Sequence, residues 1–265
     1  MPTLTTLYRK HMPINLGGMP LGIPGCSVWY DGADSSTMSF GTGVANWASK
    51  GNYSNNLVQV TSGVYQPTFN SSGLNGLSTL SFAISNSQRL GCASWAGDAL
   101  TNSATLFIVF NPRTVGAAIY QAYARFQNDS INIFYVSTAD GTAAAGCIVG
   151  DITPSGGDVR ATPVSTATTG WRIDMVQMTT PGGTPTVTLS SNNVAIGGPG
   201  TSSGTFTTAV GGAFYVGDDG SGGSFCDMDL AEVIIYNSAL SSANYTAVAN
   251  YLSNKWALAL GTPVY

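Results

Sequence analysis

The stretch CDMDLAEVIIYNSALSSANYTAVANYLSNKWAL, residues 226–258, decides the fold. Residues 230–236 predict a strand, and residues 237–240 a short turn after it. Ser241 or Ser242 then caps a helix, because a serine oxygen accepts a bond from an orphan N–H of the first turn. Tyr245, Ala249, Leu252 and Trp256 recur at spacings of four, three and four, which is one face of an amphipathic helix. Lys255 lies in the last turn, where a cation suits the helix dipole.

Outward from this block the chain reads as β. Short apolar runs at 79–84, 104–110, 117–126, 130–136, 171–178, 186–189 and 213–217 predict strands. Residues 106–110, Leu-Phe-Ile-Val-Phe, are apolar on both faces and predict a central strand. Ser190-Ser191-Asn192-Asn193 predicts a hairpin turn, since Asn tolerates positive φ. Residues 1–26 show no period and hold Pro2, Pro13, Pro20 and Pro24 among several glycines, so they read as an extended N-terminal arm. Residues 27–265 then form one domain, a length that an all-β sandwich fills by itself.

Composition narrows the function. Charged residues make up 8% of the 265, against roughly 25% in an ordinary soluble domain. The net charge is −4, and the nine Lys and Arg are scattered apart from Arg9-Lys10 beside His11. Without a basic stripe to displace counterions, nucleic acid is excluded as a main partner. No apolar run approaches the roughly 18 residues of a membrane span. Met-Pro-Thr-Leu opens the chain without the charged start and apolar stretch of a secretory signal. Cys26, Cys92, Cys147 and Cys226 match no metal-site spacing and read as buried thiols. Cys26 and Cys226 start the first and last core strands and are the pair that folding could bring together; the disulfide state stays open.

Several segments, in this order, resemble the concanavalin A-like lectin/glucanase superfamily, in particular the laminin-G-like modules of phage and bacterial surface proteins. They are residues 28–37 (VWYDGADSST), 44–47 (VANW), 50–56 (KGNYSNN), 66–69 (QPTF), 73–76 (GLNG) and 80–82 (LSF), then 231–236 (AEVIIY) with the helix after it. Ala48 departs from the pattern, standing where an acidic residue is common. The resemblance implies an all-β, concanavalin A-like antiparallel β-sandwich (jelly roll) with one C-terminal helix.

Some members of that superfamily are glycosidases, which need a pair of carboxylates. Asp227 and Asp229 share a strand face with Ala231, and a period of two turns Glu232 to the other side, which breaks the pair. Glu232 reads instead as a carboxylate tied into hydrogen bonds beside the helix. The chain has a single histidine, His11, in the arm, and no G-x-S-x-G elbow or P-loop. The expectation is no catalysis and no catalytic residues. Asp218 and Asp219 read as a hairpin turn through Asp219-Gly220; calcium, possible in this superfamily, is the alternative that pair leaves open. For sugar, the loop-like aromatics Trp47, Tyr53 and Trp95 are the candidates, while Trp29, Trp171 and Trp256 fit core patterns.

The expected function is therefore a non-enzymatic bacteriophage virion protein, a capsid decoration or tail component assembled in the host cytoplasm. It would dock on other virion proteins through Leu4, Leu7, Tyr8, Arg9, Lys10, Met12, Ile14 and Leu16, as a homo-oligomer or symmetric array. The alternative is a carbohydrate-binding adhesin or receptor-recognition module that binds cell-surface glycan.

Overall fold

Ala104–Pro112 is apolar on both faces, and the structure uses both. Leu106, Ile108 and Phe110 point between two sheets, while Phe107 and Val109 point outward to a helix. The computed structural model describes residues 19–59, 61–96, 100, 103–115, 121–127, 133–138, 148–152, 159–161, 169–179, 184, 186–195, 200–201 and 212–261. The strands described are β1 (Cys26–Asp31), β2 (Met38–Phe40), β3 (Val44–Trp47), β4 (Leu57–Val58), β5 (Thr68–Leu74), β6 (Leu77–Phe82), β7 (Leu90–Cys92), β8 (Ala104–Pro112), β9 (Ala122–Gln127), β10 (Ile133–Thr138), β11 (Ile148–Ile152), β12 (Val159–Ala161), β13 (Arg172–Thr179), β14 (Thr186–Ser191), β15 (Val194–Ala195), β16 (Gly200–Thr201), β17 (Ala213–Val216) and β18 (Met228–Tyr236). One helix, α1 (Ser242–Trp256), follows them.

The strands form an antiparallel sandwich. One sheet runs β15-β14-β13-β8-β18-β6-β5, with β1 also on β18 and β16 on β14; the other runs β12-β11-β10-β9-β17-β7-β4-β3-β2. The predicted central strand, β8, lies between β13 and β18. The predicted hairpin joins β14 to β15, with Asn192 and Asn193 at φ 46° and 72°. Between the sheets pack Tyr30, Trp47, Phe82, Phe110, Phe126 and Phe214. Among the described residues no helix is long and apolar enough to cross a membrane.

Helix α1 begins as the sequence predicts, with the Ser241 hydroxyl accepting from the Asn244 N–H at 3.4 Å. Its buried face, including Tyr245, Leu252 and Trp256, covers Phe107, Ile234 and Tyr236 on the outside of the first sheet. It closes on Ala257, a non-glycine residue in the left-handed region at φ 51°.

Three expectations need correction. In the β18–β8 ladder, Leu230 pairs with Phe110 and Glu232 with Val109, so Ala231 is an inserted bulge residue. Leu230 and Val233 therefore face the inter-sheet core, while Ala231 and Ile234 face the helix side. Glu232 shares that helix side with Asp229 instead of opposing it. Next, antiparallel pairing sets Cys26 beside Tyr236, at the far end of β18 from Cys226. Cys26, Cys92 and Cys226 are free and buried, and burial pushes the Cys26 thiol up to about 12; Cys147 lies outside the described residues. Finally, the last part of the supposed arm belongs to the body. Ile23 is buried in the helix-side cluster, Tyr236 Oη donates to the Pro20 carbonyl at 3.2 Å, and the Asn237 N–H donates to the Gly25 carbonyl at 2.9 Å. The docking residues Leu4, Leu7, Tyr8, Arg9, Lys10, Met12, Ile14 and Leu16 lie outside the described residues, as does His11.

Candidate functional site

Two of the three aromatics chosen for sugar stacking face inward. Trp47 is not in a loop: it ends β3, pairs with Leu57 and packs at 5.6 Å from Tyr30 in the inter-sheet core. Trp95 follows β7 and turns under it, edge-on to Phe126 at 4.9 Å. Tyr53 is half-buried, its N–H bonded to the Ser27 carbonyl at 3.1 Å. The amides nearby are staples. Asn55, 1% exposed, exchanges bonds with the backbone of Ala96 at 3.0 and 2.8 Å.

The carboxylates are also accounted for. Glu232 is sealed under α1 with both oxygens occupied. Trp29 Nε1 (2.6 Å) and Tyr251 Oη (2.9 Å) donate to Oε1; Trp256 Nε1 (2.6 Å) and Lys255 Nζ (2.8 Å) donate to Oε2. Indole N–H groups only donate, so this set suits the ionised form. Burial nevertheless lifts the Glu232 pKa, against the pull of Lys255. Lys255 also reaches Asp31 at 2.5 Å, and Lys50 bridges Asp31 and Asp34 at 3.0 and 2.9 Å. Glu232 is thus the hydrogen-bonded structural carboxylate that its place beside the helix predicts. Asp229 takes Ser81 Oγ at 2.6 Å and Asn111 Nδ2 at 3.1 Å, and Asp227 takes the Ile84 N–H at 2.9 Å, with Arg113 near both.

Asp218 and Asp219 organise a turn between β17 and β18. Asp218 accepts the N–H groups of Gly220 (3.1 Å), Gly222 (3.1 Å) and Ser224 (3.2 Å). Asp219 accepts from Ser221 N–H (2.8 Å) and from the hydroxyls of Ser221 (2.5 Å) and Ser224 (2.8 Å). Burial opposes ionisation of Asp219, but the Ser221 and Ser224 bonds outweigh it and hold the pKa low. Gly220 fits at φ 89°, where a Cβ would meet the Tyr215 ring at 2.5 Å. Calcium needs six to eight oxygen ligands; here N–H and O–H donors occupy the carboxylates. Among the described residues no three His, Cys, Asp or Glu side chains gather as a metal set.

This turn forms one wall of a cleft of about 470 Å³, through Gly222 and Phe225. Gln59, Thr61 and Tyr65 supply the wall after β4, and Ser87 and Arg89 the wall before β7. Tyr65 is 44% exposed. It ends a 3₁₀ turn, Gly63–Tyr65, bolted from below by two buried amides. Gln88 Nε2 donates to the carbonyls of Val64 and Gln66, each at 2.8 Å, and Gln66 Nε2 donates to that of Gln59 at 3.2 Å. Arg89 Nη1 lies 2.7 Å from Asp218 Oδ2, with its guanidinium carbon 5.8 Å from the Tyr215 ring centroid. Ser87 sits in the left-handed region at φ 51°, a strained conformation for serine. The cleft therefore joins an exposed aromatic, hydroxyls, an amide and an anchored guanidinium. Its parts come from three loops far apart in sequence, so no local motif announces them.

No family model matches the chain, and a search of curated proteins finds no match. Solved structures do share its fold. Domain 4 of a GH43 extracellular arabinanase from Geobacillus stearothermophilus, in complex with arabinotriose, is similar at TM-score 0.58 and 14% identity, over 84% of this chain and 98% of that one. The botulinum neurotoxin serotype G binding domain is similar at TM-score 0.60 and 8% identity, over 86% of this chain and 51% of that one. The binding domain of Paraclostridial Mosquitocidal Protein 1 is similar at TM-score 0.56 and 13% identity, over 82% and 52%. This chain spans about half the length of these two binding domains. At these identities the likeness establishes the β-sandwich fold.

Proposed function

We propose that the chain is a non-catalytic binding module, a concanavalin A-like lectin sandwich that takes glycan in the Tyr65–Arg89 cleft. The observation that carries this reading is the cleft itself: an exposed tyrosine beside hydroxyl, amide and guanidinium groups, with the Gly63–Tyr65 turn tied by the Gln66 and Gln88 amides and Arg89 held by Asp218. Ligand sites bring convergent polar groups beside aromatic surface; here Gln59, Thr61, Ser87 and Arg89 stand beside Tyr65 and Phe225. The similar arabinanase domain was solved with arabinotriose, which is consistent with a saccharide as ligand. The engagement of Glu232, Asp227 and Asp229 by fixed donors supports a binding role over glycoside hydrolysis. Saturable binding on a glycan array, with bound oligosaccharides recovered intact and unaffected by chelator, is the expected result. Turnover of any glycoside, lost in Asp229→Asn, overturns it.

A second reading is favoured by the 8% charge content, which suits a protein packed against neighbours. In it the sandwich is displayed on a bacteriophage particle and held there by residues 1–18. Since residues 19–25 pack on the body, the informative truncation ends at residue 18. The truncated chain should stay folded and fail to join the particle; normal incorporation rejects this reading.

A further inference from the structure

We infer, building on the glycan-binding reading, that the cleft selects an uncharged saccharide over an acidic one. Among the residues lining the cleft, Arg89 carries the formal charge. That charge is already matched: Nη1 is 2.7 Å from Asp218, a carboxylate with no solvent exposure. Asp218 cannot swing aside, because Gly220, Gly222 and Ser224 hold it through their backbone N–H groups. The next residue repeats the arrangement, with Asp219 3.0 Å from Arg125. Cations and anions thus cancel around this wall, and the chain as a whole carries −4.

A carboxylate-bearing sugar would have to share the guanidinium with Asp218 while approaching a negative molecule. A neutral sugar meets neither cost. It needs donors and acceptors for hydroxyl groups, and a flat apolar surface for the C–H face of its ring. The neutralised guanidinium still presents oriented N–H groups. Thr61 and Ser87 carry hydroxyls that both donate and accept. Tyr65 and the half-buried Phe225 supply aromatic surface. The cleft volume of about 470 Å³ lies within the range of small-molecule sites.

The test is calorimetric titration of the full chain with two matched series. One contains neutral gluco-, galacto-, manno- and arabino-oligosaccharides, the other sialyl- and galacturono-oligosaccharides. Binding is expected in the neutral series, weakened at least about tenfold in Tyr65→Ala, and nearly unchanged when salt rises several-fold, because no net charge is neutralised. Acidic ligands that bind more tightly, weaken with salt and are lost in Tyr65→Ala overturn the selectivity while leaving the cleft as the glycan site. Binding that Tyr65→Ala does not alter, or no binding in either series, overturns the glycan reading of the cleft itself.

Discussion

Glu232 under the helix and Asp218 under the cleft are both carboxylates with no solvent exposure, and each holds a cation. The cations differ. Lys255 is 14% exposed and turns inward to Glu232, Asp31 and the Tyr251 hydroxyl. Arg89 is 34% exposed, with one nitrogen on Asp218 and the side chain lining a cleft. Around Glu232 the pairing fastens α1 to β18. Around Asp218 it fixes the position of a group that remains accessible. The comparison teaches that burial of an acid does not reveal its purpose; what its partner does next reveals it.

The largest expected effect belongs to the sealed side. Glu232→Gln leaves Lys255 less compensated and turns part of a four-donor site into an amide with donors of its own. Removing one member of a buried pair costs about 3–5 kcal/mol. It should appear as a lower urea midpoint with an unchanged slope, while glycan affinity of the folded fraction stays as in the parent. Lost affinity in that variant would dissolve the distinction between the two regions. Asp218→Asn should cost less stability, about 1–3 kcal/mol for unsatisfied bonds in the turn. It should also weaken neutral-sugar binding, because Arg89 loses its anchor.

Acid sharpens the contrast through opposite signs. Asp219, with its pKa held below the ordinary range, contributes stability above its unfolded value of about 4 and loses it as pH falls through the folded value. Glu232 has its pKa raised, so its contribution is fully present below its unfolded value and is lost as pH rises through the folded one. Acid titrations of stability should therefore be shallower in Asp219→Asn and steeper in Glu232→Gln. Identical slopes in both variants would contradict these shifts.

The helix side was legible in the sequence because its signals are local. The Ser241 cap and the Tyr245–Trp256 stripe follow from spacing within 33 residues, and the bonded Glu232 from the need of a carboxylate beside a helix for partners. One detail escaped: alternation cannot reveal the Ala231 bulge, which depends on the register with β8. The cleft was nearly illegible. Tyr65 and Arg89 are brought together by Gln66 and Gln88, and an amide that bonds backbone across a fold leaves no periodic trace. The tryptophans misled for a related reason. A short strand ending in Trp47 looks like a loop until β2 and β4 pair on either side.

The smallest effects come from two residues held in the same unusual conformation. Ala257 closes the helix and Ser87 lines the cleft, each at φ 51°. Glycine has no Cβ to clash there, so Ala257→Gly and Ser87→Gly should each relieve strain, by roughly 1 kcal/mol. Their binding should diverge. Ala257→Gly touches only the helix end and should leave glycan affinity as it was. Ser87→Gly removes a hydroxyl from the cleft and should weaken neutral-sugar binding even as the protein becomes more stable. Parallel gains in stability with divergent affinity would mark Ser87 as strain kept for recognition and Ala257 as strain without a ligand; equal affinity in both variants would return Ser87 to the ordinary chemistry of turns.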